Sequence, residues 1–186
     1  MSDSLSFDIN GSKVIISKKD YWIRKVFPNW RTNDSRVWVL RYIKTEYGTA
    51  REEYSLSRLI CGRPESIEID HINRNPLDNR RENLRHANRV QQMANTGPRG
   101  GSSKYKGVIN QKSKNKSNPW RGSLSINRKN IVLGNFDNEY HAAISYNIAS
   151  KYFHGEFAYQ NEVSKKHYVS FKETPQLSSV LNMRKS

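Results

Sequence analysis

The chain has 186 residues, with 32 Lys and Arg against 17 Asp and Glu, a net charge of +15 and a pI near 10.0. Hydrophobic residues make up only 35% and mean hydropathy is −0.88, too lean for one large core and suited to small sheet-and-helix units. The charge calls for a polyanionic partner, nucleic acid before membrane, because no apolar run approaches the roughly 20 residues of a spanning helix.

Residues 1–51 are expected to form a β-rich N-terminal region. The opening Met-Ser-Asp-Ser has neither a basic head nor an apolar stretch, so no secretory signal is expected and a reducing cytoplasm is the natural location. Residues 13–60 read as short strands and turns: Val14-Ile15-Ile16 is a β-branched run, and Arg36–Tyr42 is strand-like. Trp22, Trp30 and Trp38 are expected in the core. The single cysteine, Cys61, excludes an internal disulfide and any zinc centre built on four cysteines or on two cysteines and two histidines. A Gly-Arg-Pro turn then leads into Ile67-Glu68-Ile69-Asp70, which alternates apolar and polar residues.

Asn73–Arg80 is dense in turn formers, and a short helix should start at Asn88, with Gln91 at capping-box spacing, and stop before Gly97-Pro98. Residues 97–102 read as a linker between a core at 52–96 and a second module at 103–161. In that module Tyr105–Ile109 reads as a strand. Trp120, Gly122, Leu124 and Ile126 alternate with Arg121, Ser123, Ser125 and Asn127, and a third strand runs from Asn130 to Phe136. Asp137 is the expected N-cap of a helix reaching Phe153, with Ala142, Tyr146, Ala149 and Phe153 on one stripe and Gly155 ending it. The result is a three-stranded sheet with one helix on one face. The tail at 162–186 is polar and expected to be only partly ordered.

From Asn83 to Phe136 there is no Asp or Glu, while Arg85, Arg89, Arg99, Lys104, Lys106, Lys112, Lys114, Lys116, Arg121, Arg128 and Lys129 all fall within it. Asp70-His71 stands at a strand end just before this run. Phosphodiester hydrolysis needs a base that titrates near working pH, which imidazole supplies, and a hard cation, which carboxylate oxygens hold.

The run Ile69-Asp70-His71-Ile72-Asn73-Arg74-Asn75-Pro76-Leu77-Asp78-Asn79-Arg80-Arg81-Glu82-Asn83-Leu84-Arg85, with Leu56–Gly62 upstream, resembles the HNH signature of phage and intron-encoded homing endonucleases. The resemblance implies a ββα-metal core acting on double-stranded DNA with one divalent ion, magnesium or else manganese. His71 is the implied general base, Asp70 a metal ligand and Asn83 the amide that braces the loop between the strands. The third signature position, usually His or Asn, is Gln92 here, and Ser57 stands where the family usually has His. Gln92 is therefore the implied second ligand, with Asn88, Asn95 and His86 as alternatives.

Tyr105-Lys106-Gly107-Val108, Trp120, Leu133-Gly134-Asn135-Phe136-Asp137, Ala142-Ala143, Tyr146, Ala149, Gly155 and Asn161 together resemble the AP2/ERF domain. That resemblance implies a sheet laid in the major groove, with Arg121, Ser123 and Ser125 facing DNA and Lys106, Arg128, Lys129 and Asn130 flanking them. The overall expectation is an α+β endonuclease: a β-rich region, a ββα-metal core and an AP2-like sheet-and-helix module. A homing enzyme acting in the bacterial host of a phage or mobile element fits that pairing. A DNA-binding regulator with an inactive HNH core is the second reading. An RNA-binding protein is a weaker third, since the sheet offers no exposed aromatic pair for stacking bases.

Overall fold

Asn10 and Gly11 both have positive φ, 53° and 82°, the geometry of a two-residue type I′ turn, and they join strand β1 (Ser4–Ile9) to β2 (Ser12–Ser17). A computed structural model describes residues 3–33, 35–62, 67–111 and 117–183; Lys112, Lys114, Lys116 and the Arg63-Pro64 turn lie outside the described residues. The architecture is mixed α+β, made of several small sheets. It divides into two compact units, Met1–Gln92 and Met93–Ser186.

In the first unit a short helix α1 (Trp22–Val26) precedes β3 (Asn29–Asn33), β4 (Arg36–Thr45) and β5 (Gly48–Ser55), which form an antiparallel sheet in the order β3-β4-β5. Helix α2 (Leu56–Ile60) follows directly. The predicted run of strands and turns over 13–60 thus contains two helical segments. Each places apolar residues in the core: Ile23 from α1, and Leu56, Leu59 and Ile60 from α2. Val14, Ile16, Phe27, Val37 and Val39 belong to the same core, as do Ile69 and Leu84. Of the three tryptophans only Trp30 is buried, where its indole N–H donates to Phe27 O at 2.7 Å. Trp22 is 45% exposed, and Trp38 stacks under Arg31, its ring 4.6 Å from the guanidinium carbon.

Strand β6 (Glu68–His71) pairs antiparallel with β8 (Leu84–Ala87). Between them β7 (Asp78–Asn79) joins β2 in a parallel pairing, Ile15 opposite Asp78 and Ile16 opposite Asn79. Helix α3 (Arg89–Asn95) follows, and its start is the expected capping box: Asn88 N–H donates to Gln91 Oε1 at 2.8 Å and Gln91 N–H to Asn88 Oδ1 at 2.9 Å. The division between units falls inside α3, after Gln92.

The second unit holds β9 (Val108–Asn110), β10 (Trp120–Ile126) and β11 (Lys129–Phe136) in the antiparallel order β11-β10-β9. The predicted strand at 105–109 begins only at Val108, because Gly107 takes φ +76° with the Tyr146 ring so close that a Cβ would sit 2.1 Å from it. Asn127 and Arg128, at φ 49° and 64°, make the β10–β11 turn. Helix α4 (Glu139–His154) packs on this sheet, and Gly122 permits the approach: a Cβ there would meet Ser145 Oγ at 2.4 Å. Asn138, not Asp137, is the N-cap, its Oδ1 accepting from His141 N–H at 2.9 Å. Asp137 instead accepts from the Asn138 side chain at 3.0 Å.

The tail differs from expectation. After α5 (Lys166–Val169), α6 (Pro175–Asn182) is capped by Thr174 and buries Leu177 and Val180 against Leu124, Leu133, Tyr146 and Ala149. Two apolar residues well beyond the predicted module thus complete its core. Polarity of the segment as a whole concealed them.

Candidate active site

Alternation along β6 sends neighbouring side chains to opposite faces. Asp70 stands opposite Arg85 in the β6–β8 pair and is 6% exposed. Arg85 donates to its Oδ2 from Nε at 2.9 Å and lies 2.8 Å away through Nη2. His71 stands opposite Leu84, half-buried, with Nε2 3.3 Å from Asn79 Oδ1. The Asn79 amide N–H donates to Pro76 O at 3.0 Å, which turns its carbonyl oxygen toward His71. An Nε2–H donating to that oxygen would leave the lone pair of the neutral ring on Nδ1. Burial pushes the imidazole below its ordinary pKa, outweighing the Asn79 hydrogen bond and the Asp70 and Asp78 charges, which raise it.

The loop between β6 and β8 is held by amides. Asn83, 5% exposed, accepts from Asn73 N–H at 2.9 Å and donates to Asn73 Oδ1 at 2.9 Å and Asp78 O at 2.7 Å. Asp78 in turn takes both Nε and Nη2 of Arg80 at 2.8 Å, and the guanidinium hydrogen bonds hold its carboxyl below the usual range. Arg81 anchors the far end: its N–H donates to Ser17 Oγ at 3.0 Å, and its guanidinium clasps the fully buried Asp20, with Nη2 at 2.6 Å. The N-terminal strands are thus the frame against which the loop is fixed. Turn-former density marked this segment, but Asn79, Arg80 and Arg85 carry no pattern that singles them out.

His71, Asn79 and Gln92 line one polar cleft together with Glu68, Ser57, Arg36 and Arg58. The structure therefore brings His71 and Gln92 together. Asp70 does not line that cleft, being turned toward Arg85. Of the alternative ligands, Asn88 is engaged in the helix cap, Asn95 is 6% exposed in the second unit and His86 is exposed opposite Ile69. Ser57 is buried, its Oγ 3.1 Å from Ser55 Oγ. Among the described residues no group of three His, Cys, Asp or Glu is gathered to hold a metal. The oxygen donors that line the cleft are the Glu68 carboxylate and the Asn79 and Gln92 amides, while Asp70 is held by Arg85.

In the second unit, register puts Ile109, Arg121 and Asn135 in one row, Ser123 with Val132, and Ser125 with Asn130, on the face opposite Gly122 and α4. Ser125, Arg128, Lys129 and Asn130 are exposed and Arg121 is partly so, 3.4 Å from Asn135 Oδ1. Ser123 is only 8% exposed. Lys106 points elsewhere: its Nζ takes Met93 O, Ala94 O and Thr96 O at 3.1, 2.8 and 2.7 Å, closing the C-terminal end of α3.

No helix among the described residues is long and apolar enough to cross a membrane. No curated protein and no solved structure matches the chain. The family model of HNH endonucleases matches residues 62–94, the stretch that contains β6, the braced loop, β8 and most of α3.

Proposed function

We propose that the chain is a metal-dependent endonuclease of duplex DNA, with His71 as general base in a ββα-metal site and the outer face of β9–β11 docking on DNA in an AP2-like manner. The observation that carries the reading is His71, held on a polar cleft by Asn79 within the stretch matched by the HNH family. Its Nδ1 lone pair accepts the proton of the attacking water, while Asn79 fixes the tautomer and Asn83 keeps the loop in place. Asp70 and Gln92 would hold magnesium, or manganese, through a carboxylate and an amide oxygen, and such an ion offsets charge growing on the phosphate. Arg85 pairs with Asp70 in the structure, so ligation by this carboxylate would require it to leave that guanidinium.

The basic surface of the second unit, Arg121, Arg128 and Lys129 with Ser125 and Asn130, fixes position on the duplex through phosphates and base edges. A nuclease centre coupled to a separate docking module fits a site-directed homing enzyme of a phage or mobile element. The test is conversion of supercoiled plasmid to nicked or linear form, with magnesium or with a chelator, by the chain and by His71→Ala. Cleavage that survives the chelator, or the loss of His71, refutes this reading.

The Asp70–Arg85 pair and the unusual Gln92 favour a second reading, a DNA-binding regulator without nuclease activity. Tight duplex binding with no cleavage under any divalent cation would establish it.

A further inference from the structure

Strand β4 pairs with β3 only from Arg36 to Leu40; beyond that it pairs with β5 alone, out to Thr45 opposite Gly48. From Tyr42 to Arg51 every residue except Ile43 is exposed, so the distal hairpin has solvent on both faces. A two-stranded ribbon with no core face gains little from burial and leaves a strand edge open. Its composition is that of a contact element: Lys44 stands opposite Thr49, Tyr42 (61% exposed) opposite Arg51, and Tyr47 at the tip is 93% exposed.

The charge continues down the same face. Register alternation places Lys44, Tyr42, Trp38 and Arg36 of β4 with Arg31 of β3 and with Arg51 and Glu53 of β5. Arg31 and Arg51 both pair with Glu53, the one carboxylate there, and Arg31 also lies over the Trp38 ring. Leu40, at the centre of the face, is buried. Glu52 points to the other side, paired with Arg41 at 2.7 Å, and Glu46 sits at the hairpin turn. Arg36 belongs to both places: its guanidinium carbon is 6.0 Å from the Trp38 ring, and it lines the cleft of His71.

We propose that the β4–β5 ribbon enters the major groove beside the cleavage point, with Arg36 continuing its basic face into the His71 cleft. The major groove, about 12 Å wide and about 8.5 Å deep, admits a two-stranded β-ribbon. Five residues of β4 beyond the three-stranded part, 41–45, reach about 16 Å, enough to span that depth. This inference rests on duplex DNA as the substrate of the proposed function, and it assigns to the first unit a DNA-contacting element of its own.

The test uses the full-length chain and a pool of mixed-sequence duplexes. Lys44→Ala/Arg51→Ala should weaken binding several-fold and flatten the plot of log affinity against log salt by up to about 2, with thermal unfolding unchanged. In plasmid cleavage the same variant should show a raised KM. A photocrosslinker attached through Tyr47→Cys, in a Cys61→Ser background, should capture duplex DNA. Wild-type affinity and salt slope in the double variant, or no crosslink from the tip, overturn the ribbon assignment. A chain that binds duplex but never cuts it refutes the nuclease reading alone, and the binding and crosslinking results still decide the ribbon. A chain that binds no duplex at low salt refutes both.

Discussion

Arg85 meets Asp70 across the β6–β8 pair, with Nε at 2.9 Å and Nη2 at 2.8 Å from Oδ2. The side chains are only 12% and 7% exposed, so this is a buried ion pair next to the proposed base. Arg85→Ala takes the cation from a buried carboxylate and should destabilise the protein by about 3 to 5 kcal/mol, measured by urea unfolding. Arg85→Lys should recover only part of that, since one ammonium cannot reproduce the forked donor geometry. Wild-type stability in Arg85→Ala would remove the pair from any structural role.

His71→Ala should abolish cleavage while leaving duplex affinity nearly unchanged, because a base acts only in the chemical step. The base must be neutral, and burial holds its pKa below the ordinary value, so the acid limb of the pH–rate profile should lie below about 6.5. The Asn79 hydrogen bond raises that pKa, so Asn79→Ala should move the limb lower and also slow the reaction by loosening the ring. Stability follows the same sign. The unfolded chain takes up the His71 proton more readily, so this contribution is present above about pH 6.5 and is lost as pH falls through the lowered folded value. An acid limb at or above that of free imidazole would exclude His71 as the titrating base.

Gln92 shares the cleft with His71, at the position where the HNH resemblance implies His or Asn. Gln92→Asn and Gln92→His should keep or raise cleavage, whereas Gln92→Ala should lower it and demand more magnesium for half-maximal rate. Indistinguishable rates in all three would place the second ligand elsewhere.

Lys106 and the Arg128–Lys129 pair should separate stability from DNA binding. Lys106→Ala leaves three carbonyls at the end of α3 without their cation and should cost about 2 kcal/mol in thermal or chemical unfolding, with little change in salt dependence. Arg128→Ala/Lys129→Ala should leave stability unchanged and reduce the salt slope of DNA binding by up to about 2. Equal effects of the two variants on salt slope would return Lys106 to the DNA-contacting set.

Leu177 is fully buried although it lies well beyond the predicted module. Leu177→Ala should destabilise the second unit by roughly 2 to 5 kcal/mol. A fragment of residues 103–161, which lacks α6, should unfold far more easily than one reaching residue 183. Comparison of their circular dichroism melts checks both statements; matching melts would show that α6 adds nothing to the core.

Local text settled what local physics controls. The Asn88–Gln91 capping box, the stripe on α4 and the stop at Gly155 formed as read, because each depends on hydrogen bonds and side-chain periods within a few residues, whereas along β10 the expected alternation is broken at the Gly122/Ser123 register shift, where Ser123 is buried. The HNH signature likewise marked the Asp70–Asn83 segment in advance. Asn10-Gly11 is an equally local hairpin signal, and it joins β1 to β2. What sequence could not decide was which residue each long-range partner would meet. Arg81 finds Asp20 from 61 positions away, Thr174 reaches Leu133 O from 41, and Leu177 enters the core behind β11. The AP2/ERF resemblance implies a place for Lys106 beside the DNA-facing strands, and only the packed chain brings the Met93, Ala94 and Thr96 carbonyls within reach of its ammonium. Charge and polarity fix what a side chain can bind, whereas tertiary packing decides which of the available partners comes close enough to be bound.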